Sequence, residues 1–257
     1  MIRAVLFDLG GTLHTADSPA GRDVWFARRL LERLGDYGIA LEEEPGRLAG
    51  RLHTNAEDYK HWSEQALREL PMAEIWSDYY LRGYGVSRER LEPIAEELSF
   101  LYDYERVRVL RRPHLRETMD ALRDMGLRLG VISNIISTSV VPHFLREYGI
   151  DGYMECQVLS STAGARKPSA EIFRVAELEL DLRPGELAYV GDTLSRDVMG
   201  VRNVGWRLAI QIQSSAGPRR DKGLAGLVKP DYLIEDLAEI PAIIARENDT
   251  SAKEENR

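Results

Sequence analysis

Asp8 stands at the end of the apolar run Ala4-Val5-Leu6-Phe7, and Gly10, Gly11 and Thr12 follow it in the stretch FDLGGTL. Three further stretches join apolar runs to polar side chains. Ser133 and Asn134 close GVISN, Lys167 lies in GARKP, and Asp192 and Asp197 sit in YVGDTLSRD. Carboxylates of this kind can hold a hard cation, while a hydroxyl and a lysine suit the oxygens of a phosphate. Magnesium fits such a set, because it accepts one or two carboxylates and keeps water and phosphate oxygens as its other ligands. Taken singly, each residue has an ordinary reading. Asp8 can bond its own backbone in a turn, Asp192 and Ser133 can cap helices, and Lys167 can lie on a solvated surface. Their joint order at the ends of apolar runs is what packing alone does not supply.

Such chemistry needs a frame that gathers distant residues. Apolar runs at 4–9, 127–133, 186–191 and 206–211, with a weaker one at 153–159, read as buried parallel strands. Helical patterns lie between them. Leu115, Met119, Leu122 and Met125 make one stripe ended by Gly126. A second helix is predicted over 138–148, and a third opens at Pro168 with Ile172, Phe173, Ala176 and Leu178 as its apolar residues. Strands alternating with helices predict a doubly wound α/β sheet, whose ligands bind beyond the carboxyl ends of the strands. All four polar stretches fall at such ends.

The alternation breaks between 17 and 104, where the pattern is helical and strand-poor. Stripes such as Trp25, Leu30, Leu31 and Leu34, with Trp62 and Trp76, suggest an insertion with its own aromatic core. The stretch 246–257 (RENDTSAKEENR) reads as a disordered tail.

In this order the stretches resemble the motifs of the haloacid dehalogenase superfamily. RRPHLRETMDALRDMGLRLGVISN, SSTAGARKPSAEIF and AYVGDTLSRDVMGVRNVGW are similar to its phosphatase-like branch. The resemblance covers about two thirds of the chain, and the insert matches in position and helical character. It implies a Rossmann-like catalytic core at 1–16 and 105–245, with a helical cap at 17–104 closing over the site. Asp8 would be the nucleophile that takes the phosphoryl group as an aspartyl-phosphate. Magnesium would be bound by Asp8, the Gly10 carbonyl and Asp192, with Asp197 completing the metal environment or holding Lys167. Ser133 and Lys167 would bind the phosphoryl oxygens, aided by backbone N–H groups around Gly11 and Asn134, and Thr12 would brace the loop. The substrate expected is a small phosphorylated metabolite.

Gly10 departs from the pattern. Phosphatases of this family usually carry a second aspartate two residues after the nucleophile, which protonates the leaving alcohol. Glycine supplies the carbonyl without the carboxyl, so a slow phosphatase is expected. Three alternatives accommodate Gly10. A phosphonoacetaldehyde-type C–P hydrolase would use Lys60, the lone lysine of 17–104, as its Schiff base. A 2-haloacid dehalogenase would draw on Arg28, Arg29 or Arg33. A non-catalytic relative would bind a phosphorylated ligand or a protein. His14 and Asp17 stand near the hinge and are either substitute acids or ordinary linker residues. Trp25, Tyr59, Trp62 and Trp76 either line the pocket or build the cap.

The totals set outer limits. A net charge of -8 over 257 residues disfavours nucleic acid or an anionic membrane as main partner. Cys156 is the single cysteine, so an intrachain disulfide is impossible and a reducing compartment fits. No apolar run is long enough to span a bilayer, and the charged Asp8 comes too early for a signal peptide, so a cytoplasmic protein is expected. Oligomeric state is not legible.

Overall fold

The computed structural model describes residues 1–257 except positions 216, 225, 256 and 257 and the side chains of 252–255. The first half contains β1 (Ala4–Phe7), β2 (His14–Asp17), α1 (Arg22–Asp36), α2 (Pro45–Ala66), a helical stretch at 72–80, α3 (Ala95–Glu105) and β3 (Arg108–Arg111). Next come α4 (Leu115–Asp124), β4 (Arg128–Ser133), α5 (Val140–Glu147), β5 (Met154–Leu159) and α6 (Ala170–Leu180). The last part holds β6 (Leu187–Gly191), α7 (Met199–Val204), β7 (Leu208–Ile212), β8 (Tyr232–Ile234) and α8 (Ile240–Glu255), with shorter turns between.

β1 is buried at every position and lies at the centre of a six-stranded sheet of order β5-β4-β1-β6-β7-β8. Every pairing in it is parallel, with Phe7 opposite Val131 on one side and Val190 on the other. Side chains alternate between faces along a strand, and both faces of this sheet are covered. Val5, Phe7, Val131 and Val190 pack with Leu115 and Met119 of α4, Phe144 of α5 and Ile244 of α8. Leu6, Ile132 and Tyr189 face the other way, onto Phe173 of α6 and Val201 of α7. This two-sided burial is why the strands read as continuous apolar runs, and it makes the fold an α/β doubly wound, Rossmann-like sheet.

The helical segment leaves and rejoins the sheet through an antiparallel ribbon of β2 and β3, in which His14 pairs with Arg111 and Asp17 with Arg108. Polar, largely exposed sequence hides both strands from a pattern reading. Inside the segment, Phe26, Leu30 and Leu34 of α1, Leu52 and Tyr59 of α2 and Leu98 of α3 surround Trp76 in a core of their own. The Trp76 indole donates to Ser99 Oγ at 2.9 Å, so its one polar atom is satisfied.

Several expectations are corrected. Trp25 is not inward: it is 40% exposed, with the Arg22 guanidinium 4.1 Å over its ring. Met125 also lies at the surface, past the end of α4, and in α6 Leu180 is the buried residue while Leu178 is exposed. The stretch 246–255, expected as a disordered tail, continues α8. Asn248 clips it to the start of β1, accepting from Ile2 N at 2.6 Å and donating to Ile2 O at 3.1 Å. That is a tertiary anchor, invisible to composition. Positions 256 and 257 lie outside the described residues. No described helix is long and apolar enough to cross a membrane.

Candidate active site

Two adjacent strand ends set the geometry. β1 delivers Asp8 and β6 delivers Asp192, and the turn after β6 brings Asp197 back beside them. Carboxylate oxygens of Asp8, Asp192 and Asp197 all lie within 4.8 Å of one another. Two glycines make that approach feasible. A Cβ at Gly11, whose φ is +90°, would fall 2.2 Å from Asp192 Oδ2. One at Gly191 would fall 2.3 Å from the Asp197 side chain.

Lys167 is the buried counter-charge. Its Nζ lies 2.8 Å from Asp8 Oδ1 and 2.7 Å from Asp197 Oδ1, and it donates to the Tyr189 hydroxyl at 2.8 Å. Tyr189 in turn donates to Ile132 O at 2.8 Å. Asn134 fixes the lysine from behind, accepting from Lys167 N at 2.8 Å and donating to Lys167 O at 3.0 Å. Burial works against the lysine's charge, but Asp197 and Asp8 outweigh it and hold the ammonium above its ordinary range. Burial likewise opposes ionisation of Asp197, yet Lys167 wins and holds that carboxyl low. Asp197 Oδ2 is further satisfied by Thr193 N at 3.0 Å and Thr193 Oγ1 at 2.7 Å.

The remaining carboxylates are short of positive charge. Burial raises Asp8, against the pull of Lys167, and Asp197 adds to the rise. Asp192 is pushed up to about 7 by burial and by the charges of Asp197 and Asp8. Its Oδ2 accepts from Ser214 Oγ at 2.7 Å, while Oδ1 is buried with no hydrogen-bond partner among the described residues. Three carboxylates against one ammonium, with an orphaned oxygen among them, fit a divalent cation.

Ser133 ends β4, the strand next to β1, and is buried. Gly11 N donates to His14 O at 2.7 Å, and Gly11 O accepts from Arg112 Nη2 at 2.6 Å, so Arg112 ties the loop to the segment after β3. Thr12 is buried, its N–H bonded to Leu9 O at 3.3 Å and its hydroxyl without a partner among the described residues. Gly10 is exposed, and a Cβ there would meet nothing within 4 Å.

A cavity of about 580 Å³ opens in front of Lys167, between the sheet and α2. His53, Glu57, Lys60 and Glu64 line it from α2, and Arg219 and Arg220 from the loop after β7. Spacings of four, three and four put those α2 residues on one helix face, beside the face that buries Leu52, Ala56 and Tyr59. None of the four aromatic candidates lines this cavity. Tyr59 and Trp76 belong to the insert's core, Trp62 packs against it, and Trp25 faces outward. His14 is buried against Phe144 and Tyr148, with Nδ1 2.9 Å from the Tyr148 hydroxyl. Burial pushes its imidazole down to about 4, so it is neutral near pH 7 and carries no proton to donate as an imidazolium. Asp17 pairs with Arg108 at 3.0 Å. Arg29 and Arg33 pair with Glu32 and Asp36, and neither they nor Arg28 line the cavity.

Sequence reasoning missed Tyr189, Ser214, Arg112 and Asp221. Asp221 accepts from Leu194 N at 2.8 Å and Ser195 N at 3.0 Å, holding the turn between Asp192 and Asp197. No local pattern marks these residues, since each acts across elements.

The model for haloacid dehalogenase-like hydrolases matches residues 2–205. A glyceraldehyde 3-phosphate phosphatase of Methanopyrus kandleri is 26% identical over 249 residues, covering 95% of this chain and 97% of the relative. A phosphoserine phosphatase of Thermus thermophilus is 27% identical, covering 93% and 98%. The crystal structure of a HAD phosphatase from Thermococcus onnurineus superposes with a TM-score of 0.55 at 23% identity, over 95% of this chain and 98% of that one, a likeness of fold.

Proposed function

The chain belongs to the haloacid dehalogenase-like hydrolases, and from that premise we propose that it is a magnesium-dependent phosphohydrolase acting on a small phosphorylated metabolite through an aspartyl-phosphate. One observation carries this reading: Asp8, Lys167, Asp192 and Asp197, brought from three separate segments of the chain, converge on one another, and Lys167 lines the adjoining cavity. Relatives named as phosphatases along their whole length support the reaction class.

Asp8 attacks phosphorus with a carboxylate oxygen, forming an O–P bond as the ester P–O bond breaks. Lys167 and Ser133, with N–H groups of the Gly11 and Asn134 loops, hold the phosphoryl oxygens. Asp8, Asp192 and the Gly10 carbonyl are the residues that would bind magnesium, which when bound would offset carboxylate charge and stabilise charge on the phosphoryl oxygens. Asp197 holds Lys167. The departing alkoxide takes its proton from water, because Gly10 offers none. Water then displaces Asp8 from phosphorus, releasing inorganic phosphate and restoring the carboxylate. The helices of 17–104 form the cap, and the α2 face meets the leaving group.

The test is turnover of p-nitrophenyl phosphate, whose leaving group needs little acid help. We expect hydrolysis that requires magnesium, stops with chelator and is lost in Asp8→Asn. Turnover surviving Asp8→Asn would end the proposal.

A second reading, C–P cleavage through a Schiff base, has Lys60 in the same cavity in its favour. Against it stands the ion pair with Glu57 at 2.8 Å, in which Lys60 holds the Glu57 carboxyl below its ordinary range. A borohydride-trapped Lys60 adduct with phosphonoacetaldehyde would favour it over the first.

A further inference from the structure

The cavity's charges are unevenly matched. Lys60 is paired with Glu57, Arg196 with Glu64, and Lys167 with Asp8 and Asp197. Among the described residues Arg219 has no carboxylate within 4.0 Å, and Arg220 has only Asp192 at 4.0 Å. Arg219 and Arg220 are therefore the two described cavity cations without a close ion-pair partner, in a chain of net charge -8.

These arginines do not ride on a loosely attached loop. They lie in the turn Gly217–Arg220, whose first N–H donates to Ser214 Oγ at 3.0 Å, the hydroxyl that itself donates to Asp192. The residue that follows, Asp221, is buried and accepts from Leu194 N and Ser195 N, while Gln211 Nε2 donates to it at 3.4 Å. One set of bonds thus fixes both the carboxylate cluster and the arginine pair. Arg220 overlooks Asp192, and Arg219 lines the cavity with the α2 stripe of His53, Glu57, Lys60 and Glu64, where its charge adds to that of Lys60 in holding the Glu57 carboxyl low.

We propose that this cavity selects phosphate monoesters bearing a second anionic group, a carboxylate or another phosphate, which Arg219 and Arg220 engage at the cap side while the scissile phosphoryl lies at Asp8 and Lys167. This rests on the phosphohydrolase reading and adds the substrate class to it. Guanidinium groups suit the task, since their planar forks match carboxylate and phosphate oxygens in pairs. A cavity of about 580 Å³ admits a metabolite of that size.

The experiment compares matched esters with magnesium: glycerol 3-phosphate against 3-phosphoglycerate, and fructose 6-phosphate against fructose 1,6-bisphosphate. We expect at least a tenfold higher kcat/KM for the member of a pair with the extra anion. The ratio should fall toward one in Arg219→Gln/Arg220→Gln and be partly retained in the double lysine variant. A preference for the carboxylate pair alone, or for the bisphosphate pair alone, identifies the second group. Equal kcat/KM within both pairs, or a preference that persists in the double glutamine variant, would overturn the proposal. Dissociation constants for the same pairs, measured calorimetrically on Asp8→Asn with magnesium, give the ratio without turnover. Failure to hydrolyse p-nitrophenyl phosphate therefore strikes the phosphohydrolase reading, while equal binding within the pairs strikes this one.

Discussion

At the scale of single residues, Gly10 and His14 carry opposite lessons. Gly10 removes a carboxyl from the position where the resembling phosphatases hold their acid, yet its surroundings leave room for one. Gly10→Asp should therefore fold normally and raise turnover of alkyl phosphates by about a hundredfold, the lower end of what a positioned acid contributes. Steady-state kinetics on an alkyl ester would show it, and an unchanged kcat in a folded variant would refute the missing-acid account. His14 is polar by type but a core residue by position. Burial drops it from 6.5 to about 4, so the unfolded chain binds a proton that the folded chain refuses. Its stabilising effect is complete above about pH 6.5, shrinks as pH falls below that, and is exhausted near pH 4, a change of roughly 3 kcal/mol. Asp103, pushed up to about 7 by burial, trends the other way over much of that window. The informative quantity is therefore the difference between wild type and His14→Gln in urea unfolding at pH 7 and pH 5, which should narrow by 1 kcal/mol or more at the lower pH.

Between elements, the seam joining the helical insert to the sheet rests on a buried charge. Past the end of α2, Arg68 bridges to Ala165 and Arg166 N donates to Leu67 O at 3.0 Å. Glu69 then inserts among core groups, paired with Arg166, hydrogen-bonded by Tyr59 and accepting from Ser160 Oγ at 2.5 Å. Its partner immediately precedes Lys167, so the insert's anchor and the site's cation share one loop. Removing one member of a buried pair leaves an uncompensated charge, whereas removing both does not. Glu69→Gln should cost about 3 kcal/mol in chemical denaturation, with part recovered in Glu69→Gln/Arg166→Met. A double variant less stable than the single one by the full second loss would contradict this pairing. Residues 137–139 make a second tie: Glu96 accepts from Thr138 N at 2.9 Å and Ser139 N at 3.0 Å, just ahead of α5.

For the whole molecule, a carboxylate cluster with too little positive charge is a stability liability that a bound cation relieves. Magnesium at a hundred times its dissociation constant should add about 2.7 kcal/mol, raising Tm by about 5 °C or more. Asp192→Asn should abolish most of that rise. In chelator the same variant should melt above the wild type, because one of three crowded charges is gone. Thermal melts with and without magnesium check both signs, and an undiminished magnesium response in Asp192→Asn would remove Asp192 from the metal site.

Five of the six strands of the sheet and their parallel direction were legible because two-sided burial writes itself as uninterrupted apolar runs, whereas β8, three residues at the sheet edge, was not. Asp8 and Asp192 stood out because polar residues terminate those runs, and Lys167 because it stands just ahead of a helix; in the fold it lies eight residues past the end of β5, beyond the short helix Ser160–Ala163. What the tertiary structure alone decided depends on contacts between distant segments. β2 and β3 pair through backbone groups under polar side chains, so no periodicity announced them. The last helix is held by Asn248 on Ile2, just ahead of β1 and 246 residues away in sequence. The α2 stripe of His53, Glu57, Lys60 and Glu64 was present as a helical spacing, but any solvated helix face shows the same. Only the position of α2 over the sheet turns that face toward Lys167, and only the bonds of Ser214 and Asp221 bring Arg219 and Arg220 to meet it. Sequence periodicity records which side of an element is buried; which element lies opposite is fixed by packing across the whole chain.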